Sequence, residues 1–118
     1  MALRIIKPPH PGKLFVTLAP TGYLFFSTRA VVELNISENK GIVLAADERG
    51  NLYLKTTDKD DPDGFRVYVR KNGAASVTCI HLSPLTRRLG IKVTKSTRYN
   101  LVEGNEDNYK IDGLKIKS

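Results

Sequence analysis

The chain of 118 residues has one cysteine and no tryptophan. A single cysteine excludes an internal disulfide and any metal site built only from cysteines. The sequence also lacks a glycine-rich phosphate loop, a metal-ligand cluster of recognisable spacing and a clear acid–base pair. No apolar run reaches the roughly 20 residues of a membrane-spanning helix, and residues 1–4 do not resemble a secretory signal. We therefore expect a cytoplasmic protein that is not an enzyme and carries no cofactor or metal.

The one cysteine lies two residues before a histidine in an apolar stretch. In a strand, Cys79 and His81 would point to the same side, which is the geometry of a thiol and a base. A nucleophilic site would also need an orienting group and an oxyanion site, and the sequence indicates neither. We interpret Cys79 as a small apolar filler.

Acidic residues are absent from residues 64–102, although the chain as a whole has 12 of them and a net charge of +7. A positive field of this kind attracts polyanions without sequence preference, and each phosphate that is neutralised releases counterions. Nucleic acid, with DNA favoured, is therefore the expected partner. The candidate contacts are the eight basic residues of this segment: Arg66, Arg70, Lys71, Arg87, Arg88, Lys92, Lys95 and Arg98.

The first half of the chain has the pattern of two hairpins around a short helix. Alternating or aromatic apolar runs predict the strands, and residues 19–22 and 47–51 have turn composition. Ser27 or Thr28 can cap the helix, which buries Ala30 and Leu34 on one face. The predicted strands and helix are residues 14–18, 23–26, 29–34, 42–46 and 52–55.

The second half repeats this order. A shift of 55 positions places residues 80–82 on 25–27 and residues 89–91 on 34–36. The front hairpins align at a shift of about 52, which needs some three extra residues in one turn; such self-similarity indicates an internal repeat. The predicted elements of the second unit are strands 65–70 and 76–82, helix 85–89, and strands 98–102 and 108–111.

The repeated order of hairpin, short helix ending in Leu-Gly-Ile or Leu-Asn-Ile, and second hairpin resembles the AbrB/MazE-type swapped-hairpin domain. The resemblance covers roughly residues 13–112. In that family two units intertwine their hairpins into one small barrel, and the tandem MraZ-type members carry both units in one chain. The resemblance implies a mainly β (α+β) fold of two tandem strand-turn-strand-helix-strand-turn-strand units, forming an intertwined, pseudo-dimeric small β-barrel.

The same resemblance implies a duplex DNA-binding transcriptional regulator. The family usually has a basic residue after the turn glycine, whereas Tyr23 follows Gly22 here. We expect five segments that fold as one unit. They are a proline-rich arm at 1–12, a first repeat at 13–56, an acidic linker turn at 57–64, a second repeat at 65–112 and a basic tail at 113–118.

Two alternatives remain open. A single-stranded nucleic-acid binder would stack bases on exposed strand aromatics, for which Tyr23, Phe25, Phe26 and Tyr68 are candidates. A small structural or assembly protein of a phage or mobile element would form homo-oligomers or bind a protein through edge strands, for which residues 52–55 and 114–117 are candidates.

Overall fold

The structure is a computed structural model that describes residue 3 and residues 13–72, 75–82, 90–91, 94–104 and 106–116. Within these residues the chain forms nine strands and one short helix, so the mainly β fold is confirmed. The helix expected at residues 85–89 lies outside the described residues. The elements are β1 (Phe15–Leu18), β2 (Tyr23–Phe26), α1 (Thr28–Glu33), β3 (Lys40–Ala46), β4 (Asn51–Asp58), β5 (Phe65–Arg66), β6 (Tyr68–Asn72), β7 (Ala75–His81), β8 (Thr97–Glu103) and β9 (Tyr109–Lys115).

All strands belong to one antiparallel sheet in the order β5-β3-β4-β9-β8-β1-β2-β7-β6. Its two ends are consecutive in the chain, because only Val67 separates β5 from β6. The single extended segment 65–72 therefore pairs with β3 at its start and with β7 along the rest of its length. As a result the sheet nearly closes into a barrel.

The edge strands expected from the sequence are wrong in position. β4 contains residues 52–55 and pairs with both β3 and β9. β9 contains Leu114 and Lys115 and pairs with both β4 and β8, so residues 113–115 belong to the barrel and not to a tail. In the described part of the chain, the unpaired edge is the side of β6 that faces Glu38 and Asn39 across a groove. Edges depend on partners that are distant in sequence, so a strand pattern alone does not reveal them.

The core is built from the inward half of each strand. Val16 and Leu18 of β1 and Leu24 of β2 are fully buried, and Leu24 lies directly opposite the fully buried Ile80 of β7. Each such side chain contributes about 1.5–3 kcal/mol relative to remaining exposed. The alternation predicted for these strands is thus confirmed.

The short helix is tied to β1 by its capping residue. The Oγ of Ser27 accepts a hydrogen bond from the amide of Ala30 at 3.1 Å and a second from the amide of Phe15 at 3.2 Å. Ala30 and Leu34 are buried, as predicted for the helix face, and the Thr56 hydroxyl donates to the carbonyl of Leu34 at 2.6 Å. The helix is six residues long, so these tertiary contacts hold it in place.

The β3–β4 and β8–β9 hairpins close with the same turn geometry. The amide of Asp47 donates to the Asn51 carbonyl at 3.0 Å, and the amide of Gly104 donates to the Asn108 carbonyl at 2.8 Å. Residue Gly50 in the first turn has a φ of 82°, and Asp107 in the second has a φ of 64°. The two turns therefore have the same length and the same left-handed residue before the returning strand.

The connection between the two halves is a tight acidic turn that starts later than expected. β4 extends to Asp58, so the expected linker at 57–64 overlaps the end of that strand. The carboxylate of Asp61 accepts hydrogen bonds from the Thr57 hydroxyl at 2.7 Å and the Asp63 amide at 2.9 Å, which lowers the pKa of Asp61. Among the described residues there is no group of three or more His, Cys, Asp or Glu side chains that could hold a metal.

Asp47 is the main polar group of the β3–β4 turn. Its carboxylate accepts hydrogen bonds from the amides of Arg49 and Asn51 at 2.9 Å each, from the Asn51 side-chain amide at 2.9 Å and from the Tyr53 hydroxyl at 3.1 Å. These donors, the Asn51 side chain foremost, lower the pKa of Asp47 to about 2. The carboxylate form is therefore favoured in the folded chain.

We predict that Asp47 stabilises the fold at neutral pH and loses this effect in acid. Because its pKa is lower in the folded chain than its ordinary value of 3.8, the contribution is present above about 3.8 and disappears as the pH falls through about 2. Urea denaturation should show Asp47→Asn to be less stable than the unmodified protein near pH 6 and nearly equal to it near pH 2. The control is Glu48→Gln in the same turn; an equal, pH-independent loss in both variants would contradict the prediction.

We also predict unequal costs for two glycine substitutions. Gly50 has a φ of 82°, and a Cβ there would lie 2.6 Å from the carbonyl oxygen of Ile116. Gly113 has a φ of 91°, but its nearest neighbour would be a Tyr99 ring carbon at 3.7 Å. Gly113→Ala should cost about 1–2 kcal/mol from backbone strain alone, and Gly50→Ala should cost clearly more. Equal midpoints in urea would show that the contact with Ile116 relaxes freely.

Candidate nucleic-acid interface

The outer side of the wall β8-β1-β2-β7-β6 combines arginine and aromatic side chains. The register places Thr17, Phe25, Cys79 and Tyr68 in one cross-strand row, since each faces the next across a strand pair. Tyr23 faces His81 in a neighbouring row. We call this surface the basic-aromatic face and define it by Phe15, Tyr23, Phe25, Arg66, Tyr68, Arg70, His81 and Arg98.

The segment formed by β5 and β6 supplies half of the positive charge of this face. Val67 is 2% exposed and belongs to the core, whereas Arg66, Tyr68 and Arg70 are all exposed. This is the alternation predicted from the sequence, with one basic, aromatic-interleaved side and one buried side. The prediction is confirmed for these three side chains.

Each arginine of the face lies over an aromatic ring. The guanidinium carbon of Arg98 is 3.8 Å from the ring centroid of Phe15, that of Arg70 is 5.3 Å from Tyr23, and that of Arg66 is 5.5 Å from Tyr68. Cation–π contacts of this kind hold a guanidinium against the surface without neutralising its charge.

A second set of contacts joins the aromatic rings of β2 to β7. The Tyr23 and His81 rings are 4.5 Å apart between centroids, and Tyr23 and Phe25 are 6.1 Å apart. A guanidinium nitrogen of Arg70 donates to the Tyr23 hydroxyl at 3.4 Å. Arg70 is therefore positioned by both the ring and the hydroxyl of one tyrosine.

Carboxylates are segregated away from this face. None of the residues in β1, β2, β5, β6 and β7 is acidic, and β8 has Glu103 only at its last position. The nearest acidic side chain around β6 is Glu38, which lines the groove of about 260 Å³ beside Arg66 and Arg70 together with Asn39 and Lys59. The face therefore presents positive charge with little internal compensation.

The structure brings together part of the predicted set of basic residues. Arg66, Arg70 and Arg98 lie on the basic-aromatic face, and Lys71 is exposed next to it at the end of β6. Lys95 is exposed just before β8. The remaining candidates lie outside the described residues: Arg87, Arg88 and Lys92.

The predicted aromatic candidates divide between the face and the core. Tyr23, Phe25 and Tyr68 are on the outside, and Phe26 is buried. Sequence reasoning did not include Phe15 and His81 in the site. Their signal was present, since Phe15 alternates with the buried Val16 and His81 follows the buried Ile80, but nothing local indicated their aromatic and cationic partners.

Cys79 is fully buried beneath the outward side chains of its row. Burial raises the pKa of the Cys79 thiol above its ordinary value, and the positive charge of Arg70 opposes this only in part. A thiol held in its neutral form is a poor nucleophile. The arrangement agrees with the interpretation of Cys79 as a packing residue.

The described residues contain no helix that is both long enough and apolar enough to cross a membrane. The chain matches no protein-family model, no curated protein and no solved structure at a significant level.

We predict that Cys79 resists alkylation in the folded protein. A thiol-specific reagent should label it at least about tenfold more slowly than in denaturant, because the thiol is covered and its pKa is raised. Mass spectrometry over a time course measures both rates on the same single cysteine. Equal rates with and without denaturant would show that the outer row does not cover the sulfur.

Proposed function

We propose that the protein binds nucleic acid without catalysing a reaction on it, and that the basic-aromatic face is the binding surface. The observation that carries the proposal is the set of three arginines, each lying over an aromatic ring, on strands that contain almost no carboxylate. Phosphate groups bind arginine by charge-assisted, often bidentate hydrogen bonds. The aromatic rings add contacts that do not depend on charge.

Positioning makes these arginines better ligands for phosphate than mobile surface charges. A free arginine loses considerable side-chain entropy when it is fixed by a ligand. Here Arg70 is already held by the ring and hydroxyl of Tyr23, and Arg98 by the ring of Phe15. Less ordering remains to be done on binding, so more of the interaction energy appears as affinity.

As part of the same proposal, the barrel consists of two intertwined units related by a pseudo-two-fold axis. The pair Leu44–Leu54 in β3–β4 corresponds to Leu101–Ile111 in β8–β9, with both members shifted by 57 residues. The units alternate around the ring, since the hairpin β1–β2 lies between β8 and β7 and the hairpin β3–β4 lies between β5 and β9. This order is the one that the AbrB-type resemblance implies.

The contacts between the halves support the same relation. Thr17 faces Arg98 between β1 and β8, and Gly41 faces Arg66 between β3 and β5. Exchanging the halves converts one pair into the other, with shifts of 49 residues for β1 and 57 for β3. Leu24 and Ile80, 56 residues apart, lie opposite each other on the proposed axis.

The register also refines the repeat. Ile80 corresponds to the inward Leu24 and not to Phe25, where the shift of 55 had placed it. The shift grows from 49 residues at β1 to 56 at β2, so the second front hairpin is seven residues longer, not three. Asn35 and Gly90, which are 55 residues apart, both have positive φ, at 54° and 70°. A duplex DNA-binding transcriptional regulator of the AbrB type is the form of the function that this arrangement favours.

A second candidate is an assembly role, and the unpaired side of β6 favours it. Main-chain groups along Tyr68–Asn72 have a strand partner on the β7 side alone within the described residues, so an extended segment of another protein could add there. Light scattering at increasing protein concentration tests this role. A monomer at all concentrations would leave only a heterologous partner.

We predict that binding depends on the arginines of β5 and β6. In fluorescence anisotropy with random-sequence DNA at low salt, Arg66→Gln combined with Arg70→Gln should weaken binding about tenfold. It should also reduce the slope of log K against log salt by about 1.5–2, because two phosphate contacts are lost. Circular dichroism should be unchanged, since both side chains are exposed.

The matched control is Lys55→Gln combined with Lys115→Gln, which removes the same charge from exposed positions on β4 and β9. These strands form the opposite wall of the barrel, so this variant should bind almost as tightly as the unmodified protein. Equal weakening in the two double variants would mean that net charge, and not the basic-aromatic face, attracts DNA. Absence of binding to any DNA at low salt would overturn the proposed function.

A further inference from the structure

The form of nucleic acid that fits the face follows from which of its parts protrude. The turn between β1 and β2, residues 19–22, contains no charged residue. The helix α1 has one basic residue, Arg29, and its Nε lies 3.7 Å from the Glu33 carboxylate. Reading a duplex groove requires a helix or ribbon that enters it, and neither of these protruding elements carries an unpaired cation.

The basic residues also fail to follow the proposed two-fold relation. Arg66 and Arg98 correspond to Thr17 and Gly41 in the other unit, so their charge has no counterpart there. A symmetric reader of a palindromic duplex would present equivalent contacts from both units. The positive charge of this wall is instead concentrated on the strands contributed by the second half of the chain.

Aromatic rings are accessible where this charge lies. Tyr68 is 42% exposed, and Arg66 and Arg70 flank it on the same side of the chain. One strand further on, the exposed His81 stacks on Tyr23. Bases in a duplex already stack on each other, so only an unpaired base can place its face against such a ring.

We propose that the basic-aromatic face binds single-stranded nucleic acid, with one base stacked on Tyr68 and the flanking phosphates held by Arg66 and Arg70. This inference rests on the proposed function and names its substrate class. The wall from β8 to β6 spans four inter-strand spacings, or about 19 Å, which suits a short single-stranded segment. The path runs from Arg98 through the Tyr23–His81 pair to Tyr68.

The test compares labelled dT12, rU12 and a twelve-base-pair duplex in fluorescence anisotropy at one salt concentration. The single strands should bind at least about tenfold more tightly than the duplex, because base–aromatic stacking adds to the phosphate contacts. The ratio of dT12 to rU12 affinity separates a DNA ligand from an RNA ligand. Either preference supports the proposal, since both offer unpaired bases.

Variants of Tyr68 separate stacking from general contact. Tyr68→Ala should weaken dT12 binding about tenfold and leave duplex binding unchanged; Tyr68→Phe should bind like the unmodified protein. Tyr68→Leu keeps apolar area without a flat ring and should resemble Tyr68→Ala. The matched control is Val102→Ala, which truncates another exposed apolar residue, on β8. Circular dichroism and urea midpoints confirm folding.

The outcomes distinguish the two proposals. Equal or tighter binding of the duplex, or indifference of dT12 binding to Tyr68→Ala, would overturn the single-strand inference and leave the nucleic-acid function in place. A loss of dT12 binding in Tyr68→Phe equal to that in Tyr68→Ala would also overturn it, because the hydroxyl and not the ring would then be the contact. Failure to bind all three probes would overturn both proposals.

Discussion

The pairing of β2 with β7 is the contact on which the rest of the barrel depends. It joins the two halves of the chain at the centre of one wall and places Leu24 directly against Ile80, both without solvent exposure. A hairpin alone buries one face of neither strand, and a unit of about 45 residues is marginal by itself. Each half therefore obtains its core only from the hairpins of the other.

The same register determines the outer surface. When Leu24 and Ile80 face inward, their neighbours must face outward, which aligns Phe25 with Cys79 and Tyr23 with His81. A slip of one residue would exchange these sets and place arginines in the core. The stability of the interior and the chemistry of the basic-aromatic face are thus consequences of one strand alignment.

Local signals predicted the strands well and their partners poorly. The alternation around Val67 was sufficient to place Arg66, Tyr68 and Arg70 on one side, because the two-residue period is a property of any strand. The assignment of residues 52–55 to an edge was wrong, since β4 has neighbours from both halves of the chain. Likewise, Arg98 was recognised as basic, but its contact with Phe15 depends on the pairing of β1 with β8.

The sequence by itself determined which segments are strands, which of their sides is apolar and where positive charge accumulates, because these follow from residue type and spacing along the chain. Only the tertiary structure decided that the segment 65–72 pairs with β3 and then with β7, that three arginines each meet an aromatic ring, and that Cys79 is covered. Those features require side chains from strands distant in sequence to come within a few ångströms, and the free energy of burying the shared core selects that arrangement.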